Sequence, residues 1–85
     1  MKDKVKKIEI NSLPTDELID SSLESLEEGG ELIIFSKFDP SMYKYCINMM
    51  FDHKFIGVSA NCIKTKEGYF FEIRGIKNET TSRKL

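Results

Sequence analysis

The sequence predicts an α+β fold, a two-layer sandwich with two helices on one face of a four-stranded mixed sheet. Apolar patterning along the 85 residues runs in the order strand, helix, strand, helix, strand, strand. Two helices are too few to cover both faces of four strands, so both helices belong on one face. A right-handed crossover makes the first two strands parallel, and a short connection makes the last two an antiparallel hairpin.

The stretch from Glu31 to Pro40 predicts a buried strand that leads into a helix. Leu32 to Phe35 are four consecutive apolar residues, which is typical of a strand in the middle of a sheet. Asp39 is a favourable helix N-cap and Pro40 suits the first helical position, because its missing donor would go unused there. The second helix is therefore expected to begin at Pro40 and to run to about Lys54.

The residues before this strand predict an edge strand and an amphipathic helix. Val5 to Ile10 alternates between apolar and charged residues, as a half-buried strand does. Pro14 can open a helix, with either Ser12 or Thr15 as its N-cap. This helix is expected to run to about Glu28 and to end at Gly29 or Gly30, with an apolar stripe formed by Leu18, Ile19, Leu23 and Leu26.

The second half of the chain supplies the rest of the predicted core. The second helix carries one apolar stripe, interpreted as core filling: Met42, Cys46, Met49 and Met50. His53 is interpreted as a cap at the end of that helix, since it is the only histidine and has no metal-ligand partner at helical spacing. Strands are expected from Phe55 to Thr65 and from Tyr69 to Ile76, with Phe71 and Ile34 buried under the helices.

Composition excludes several classes of function. With 13 basic and 14 acidic residues the formal net charge is −1, so no electrostatic case for nucleic acid exists. No stretch approaches the roughly 20 apolar residues of a membrane span, and the charged N-terminus lacks the apolar core of a signal peptide. We therefore expect a cytoplasmic protein without cofactor or metal, with one domain over residues 1–77 and a disordered tail over 78–85.

Two side-chain groups are candidates for function. Cys46 and Cys62 lie in apolar contexts and are expected to be reduced, buried core residues, although a reactive thiol remains the alternative. The face of the sheet away from the helices is expected to expose Ile33, Phe35 and Phe70, with Phe55 beside them. Such a face predicts a protein partner or self-association.

The order of the elements and three short sequence signals make the chain similar to the TusA/SirA-like family of sulfur carriers over roughly residues 7 to 77. The signals are Ser12-Leu13 before a helix with Pro near its start, Gly30-Glu31-Leu32 entering the second strand, and Asp39-Pro40 opening the second helix. The chain looks closest to an uncharacterised branch of that superfamily that lacks the catalytic cysteine. The resemblance implies a βαβαββ sandwich with strand order 1-2-4-3 and the fourth strand antiparallel to the others.

The resemblance also bears on chemistry. In the carriers a Cys-Pro-x-Pro motif opens the first helix, where the helix dipole favours the anionic sulfur. Here the matching positions hold Thr15, Asp16, Glu17 and Leu18, so the nucleophile is missing. The expected function is a small non-enzymatic binding or regulatory module. The alternative is a thiol-dependent sulfur carrier that uses Cys46 or Cys62.

Overall fold

The predicted fold class is confirmed by a computed structural model that describes residues 2–37, 41–66 and 68–81. The elements in chain order are β1 (Asp3–Glu9), α1 (Asp16–Ser25), β2 (Leu26–Ser36), α2 (Met42–Asp52), β3 (Ile56–Thr65) and β4 (Gly68–Ile76). They form one sheet of order β1-β2-β4-β3, in which β1 is parallel to β2 and β4 is antiparallel to both of its neighbours. The predicted helix start at Asp39 and Pro40 lies outside the described residues.

The core lies between the sheet and the two helices. The register of β2 and β4 places Ile34 opposite Ile73 and Ser36 opposite Phe71. Phe71 is 1% exposed and Ile34 is fully buried, so the predicted face of each strand is confirmed. Both helices contribute to the same cluster, through Ile19, Leu23, Met42, Cys46, Met49 and Met50.

The first helix ends earlier than the sequence predicts. Helix α1 stops at Ser25 and the chain enters β2 at Leu26, whereas the glycines at 29 and 30 suggested an end near Glu28. Strand pairing is the physical reason, because Gly29 N donates to Lys77 O at 2.7 Å and Lys77 N donates to Gly30 O at 2.9 Å. Leu26, expected on the helical stripe, is fully buried as the first residue of β2 instead.

The second helix ends in a Schellman motif. Lys54 adopts a left-handed φ of 60°, the conformation that glycine usually supplies after a helix. Phe55 N donates to Met50 O at 3.1 Å and Lys54 N donates to Phe51 O at 3.0 Å, the two bonds of that motif. The residue at the C-cap is His53, as predicted. The tight turn drives Phe55 into the core at 5% exposure, so the expectation that it lies on the outer face is wrong.

Strand β3 contains an irregularity that the alternating sequence did not indicate. Its pairing with β4 shifts between Ile56 and Ser59, where Gly57 has a φ of 59°. The extra residue moves Ile56 opposite Ile76, and Ile56 is 46% exposed. Simple alternation along the predicted strand would place Ile56 on one face with Val58, Ala60 and Cys62, and this expectation is wrong because a bulge reverses the alternation between Ile56 and Ser59.

After β4 the chain turns back against the end of α2. Asn78 Oδ1 accepts from the backbone N–H groups of Thr80 and Thr81, both at 3.0 Å. Thr81 Oγ1 donates to Lys54 O at 2.9 Å. The remainder of the predicted tail, residues 82–85, lies outside the described residues. No helix within the described ranges is long and apolar enough to span a membrane.

Candidate functional site at the start of the first helix

The start of α1 is closed by its own side chains. Thr15 is the N-cap, and its Oγ1 accepts from Leu18 N at 3.2 Å. Asp16 and Glu17 follow in the first turn and are exposed, so two carboxylates stand at the positive end of the helix. The positions that the resemblance matches to a carrier thiol therefore hold a capping hydroxyl and two acids.

A histidine from the other helix completes this site. The His53 side chain is fully buried, and its Nε2 lies 3.1 Å from Asp16 Oδ1. Because a carboxylate oxygen accepts, Nε2–H is the donor of this hydrogen bond. His53 Nδ1 lies 3.9 Å from Asp20 Oδ1, a distance too long for a hydrogen bond. Asp20 Oδ1 is buried and has no hydrogen-bond partner in the described part of the chain.

The local folding of both helices explains why these groups meet. Asp16 and Asp20 are four residues apart, which places their side chains on the same side of α1. His53 sits at the C-cap of α2, where the Schellman motif turns the backbone out of the helix. The ring thus enters the space between the two helices, and one histidine faces two carboxylates of the other helix.

This arrangement is suited to holding the two helices together. The Thr15 oxygen accepts from Leu18 N, and the His53 ring is fully buried. The acids of the first turn repel an anionic sulfur. Within residues 2–37, 41–66 and 68–81, no three His, Cys, Asp or Glu side chains are arranged to hold a metal ion.

An open groove runs beside the helix start, between the end of β1 and α1. Leu13 projects into solvent there at 52% exposure. The residues that line the groove include Glu9, Asn11, Leu13, Pro14, Thr15 and Leu18. It is a shallow surface of mixed polarity.

The two cysteines differ, contrary to the expectation that both are buried. Cys46 is fully buried on α2, and burial raises the pKa of its thiol to about 11. Cys62 is exposed, so its predicted burial is wrong. Cys62 pairs with Phe71 and shares its helix-facing side, but β3 is the last strand of the sheet and leaves Cys62 without a neighbouring strand on one side.

The predicted interaction face is only partly accessible. Ile33 is 4% exposed, so the expectation of an exposed Ile33 is wrong, while Phe35 and Phe70 are partly buried. The register explains this, because Lys7 on β1 and Arg74 on β4 lie directly on either side of Ile33.

Charged groups extend across this face of the sheet. Arg74 Nε donates to Glu72 Oε1 at 2.7 Å and its Nη1 donates to Glu31 Oε1 at 3.3 Å. The hydrogen bond that Arg74 donates to Glu72, together with the negative charge of that carboxylate, raises the pKa of Arg74 above its ordinary value. Lys7 Nζ lies 5.4 Å from the centroid of the Phe35 ring, within cation–π range. The face is therefore amphipathic.

Sequence reasoning did not predict the contact between His53 and Asp16. The available signals were a single histidine at a helix end and two acids four residues apart, and neither indicates the other across 37 residues. A scan against protein-family models found no match to this chain, and searches of curated proteins and of solved structures also found none. The function proposed below therefore rests on the residues and their geometry.

Proposed function

We propose that this protein is a cytoplasmic, non-enzymatic protein-binding module, related to the branch of the TusA/SirA-like superfamily that lacks the catalytic cysteine. The observation that carries the proposal is the closed start of α1. Thr15 caps the helix there, and Asp16 bonds a buried His53. A site built in this way contributes stability to the fold and leaves binding to the rest of the surface.

Sulfur transfer needs a thiolate that is partly exposed and stabilised by nearby positive charge or a helix N-terminus. Neither cysteine is an exposed thiol at the start of a helix. Cys46 is buried on α2 with a raised pKa, which holds it in the inert thiol form at neutral pH. Cys62 is accessible, but it lies on a strand and not at the start of a helix.

Binding is supported by the amphipathic face of the sheet. Phe35 and Phe70 remain partly exposed between charged side chains that include Lys7, Glu72 and Arg74. Aromatic rings framed by charges of both signs are typical of protein interfaces, where the rings supply the apolar contact and the charges set the orientation. The proposed partner is therefore a protein surface of mixed charge.

Intact-mass analysis after incubation with a cysteine desulfurase and cysteine tests the non-enzymatic part of the proposal. We expect no added sulfur atom on the wild type. Addition of one sulfur atom that persists in Cys46→Ser and disappears in Cys62→Ser would overturn it.

That outcome would establish the alternative, a sulfur carrier that uses Cys62. The exposure of Cys62 is the one observation that favours this alternative. Alkylation of the native protein is a second measure, because a carrier thiolate reacts much faster than an ordinary exposed thiol.

Affinity capture from native lysate tests the binding part. Phe70→Lys introduces a charge on the amphipathic face, and Asn48→Lys introduces the same charge on the exposed side of α2. We expect a captured protein to be lost with Phe70→Lys and retained with Asn48→Lys. Capture that is unaffected by Phe70→Lys would exclude this face as the binding surface.

A further inference from the structure

We propose that the amphipathic face of the sheet packs against the same face of a second copy of this chain. A two-fold axis relates the two copies and runs across the strands, between the row of Arg74 and the row of Glu72. A second copy is one case of the proposed protein-binding function, on which the proposal rests.

Strand pairing aligns the side chains of the amphipathic face in rows that cross all four strands. In the strand order β1, β2, β4, β3, one row is Lys7, Ile33, Arg74 and Ser59. In the same order, the next row is Glu9, Phe35, Glu72 and Asn61. Between these rows, Ile34 and Ile73 are fully buried under the helices. Both rows therefore point away from the helices, because successive side chains of a strand alternate between its faces.

The two rows carry opposite charges where they cross β1 and β4. On β1, Lys7 and Glu9 are two residues apart and both are exposed. On β4, Arg74 and Glu72 are two residues apart, with 43% and 19% of their side chains exposed. Each base belongs to one row and each acid to the other. Exchanging the two rows therefore turns every one of these charges into its opposite.

The other two strands follow the same rule without charges. On β2, Ile33 of one row corresponds to Phe35 of the other, so an apolar residue replaces an apolar residue. On β3, Ser59 corresponds to Asn61, so an uncharged polar residue replaces another. The exchange is thus chemically matched on all four strands.

A two-fold axis midway between the rows performs this exchange when two such faces pack together. Each Lys7 then lies opposite Glu9 of the other copy, and each Arg74 lies opposite Glu72 of the other copy. The contact uses the same surface on both copies, so association closes at a dimer.

This relationship between the rows identifies the occupant as a second copy. A different protein would need only charges that complement the face, and nothing would then relate the base and the acid of each strand to one common line. In this chain the same line separates base from acid on β1 and on β4. The face is therefore electrostatically complementary to itself, a property of one chain alone.

The dimensions of packed sheets allow these contacts. Sheets packed face to face lie about 10 Å apart, with strand directions within about 30° of each other. Lysine, arginine and glutamate side chains are long enough to meet across this gap. Within one chain, Arg74 Nε already donates to Glu72 Oε1 at 2.7 Å. In the dimer, the two copies of this pair form a ring of four alternating charges, so no ion is left without a partner.

The size of the face predicts weak and reversible association. A face of four strands, each about 20 Å long, covers roughly 400 Å² at the strand spacing of about 4.8 Å. Two such faces bury of the order of 1,000 Å² of accessible surface, at the low end of specific protein interfaces.

Sedimentation equilibrium over a range of protein concentrations tests the dimer. We expect a reversible dimer of the wild type. Lys7→Glu places a carboxylate opposite Glu9 of the other copy, and Glu9→Lys places an ammonium group opposite Lys7. Each change should raise the dissociation constant about tenfold or more. The matched control is Lys44→Glu on the exposed side of α2, which should dimerise as the wild type does.

A charge exchange makes the test independent of folding defects. An equimolar mixture of Lys7→Glu and Glu9→Lys should form a heterodimer of wild-type affinity, because every facing pair on β1 is again of opposite charge. The double variant that carries both changes in one chain should dimerise alone for the same reason. Failure of both rescues would overturn the proposed axis.

Phe70→Lys distinguishes packing of the faces from pairing of two β1 edges, which would also bring Lys7 to Glu9. Phe70 lies two residues beyond the row of Glu72, and Ile76 lies two residues beyond the row of Arg74. The axis therefore sets Phe70 opposite Ile76, and Phe70→Lys should weaken the dimer. A dimer that is insensitive to Phe70→Lys would overturn the packing of the two faces.

Other outcomes separate this proposal from the proposed function. A wild type that is monomeric at every concentration overturns the second copy as partner. If its capture of another protein from lysate is still lost with Phe70→Lys, the proposed binding function stands with a different occupant. A persulfide on Cys62 overturns the proposed non-enzymatic function and does not alter the result of sedimentation.

Discussion

His53 Nε2 donates to Asp16 Oδ1 across 3.1 Å, and this hydrogen bond joins the end of α2 to the start of α1. The ring is fully buried while 48% of the Asp16 side chain is exposed. Removing the acceptor would withdraw a partner from a buried polar group, which costs more than losing a contact between two exposed groups. The contact therefore contributes to the packing of the two helices against each other.

Replacement of Asp16 separates the hydrogen bond from the charge. Asp16→Ala removes the acceptor for His53 and should lower the free energy of unfolding by about 1–3 kcal/mol. Asp16→Asn keeps a carbonyl oxygen as acceptor and loses the same negative charge at the helix start, so it should retain most of the stability. Urea unfolding of both variants measures the difference. Equal destabilisation by the two would mean that the charge, and not the hydrogen bond, matters.

The core assignment of β4 gives a second prediction. Phe71 is 1% exposed and meets the Tyr43 ring edge-on, with centroids 6.2 Å apart. Phe71→Ala should cost about 3–5 kcal/mol, a large share of the stability of so small a protein. Phe70→Ala, one residue away on the other face, is the control and should cost less because Phe70 is already partly exposed. Comparable losses in thermal or denaturant unfolding would contradict the face assignment.

Burial of Cys46 predicts a dependence of stability on alkaline pH. The pKa of its thiol rises from 9.0 to about 11 in the folded state, so the folded state holds this proton more tightly than the unfolded state. The resulting stability is complete below about pH 9 and is lost as the pH rises through about 11. Subtracting the pH profile of Cys46→Ala from that of the wild type isolates this contribution. Parallel profiles over that range would show that Cys46 does not titrate as described.

Close packing at Gly75 gives a fourth prediction. A Cβ placed on Gly75 would meet Phe55 Cβ at 2.9 Å, closer than carbon atoms approach in folded proteins. Gly75→Ala should therefore cost about 1–3 kcal/mol by overpacking. Combining it with Phe55→Ala removes the ring atoms Cγ and Cδ1, both at 3.1 Å, and keeps the Cβ contact, so the cost of Gly75→Ala should be smaller than in the wild-type background without vanishing. A double-mutant cycle by urea unfolding measures this coupling, and simple additivity would argue against the contact.

The pattern of apolar residues was sufficient to predict the order of the helices and strands and the residues of the core. It was insufficient where residues far apart in the sequence determine the local structure. Ile34 and Phe71 lie in apolar strands, so their burial followed from periodicity alone. The early end of α1 depends on Lys77, which no local pattern connects to Gly29. Burial of Ile33 depends in the same way on a register that brings Lys7 beside it.

At the candidate site too, features set by neighbouring residues could be predicted from the sequence, and features set by distant residues could not. Thr15 was one of two candidate caps from its position before an amphipathic helix, and it is the cap in the structure. The exposure of Cys62 depends on the position of β3 at the edge of the sheet and on how far the helices extend over it. Neither can be predicted from the alternation of apolar and polar residues along β3.

The Lys77 side chain has a consequence for synthesis on the ribosome. Its Nζ donates to Leu23 O at 2.8 Å and to Leu26 O at 2.7 Å, where α1 ends, although 54 and 51 residues separate it from them. Translation makes those carbonyls long before it makes their donor. Until Lys77 is made, water must solvate these two carbonyls at the end of α1. We therefore expect the end of α1 to take its native form only after Lys77 has been synthesised, with the last strand acting as the closing step.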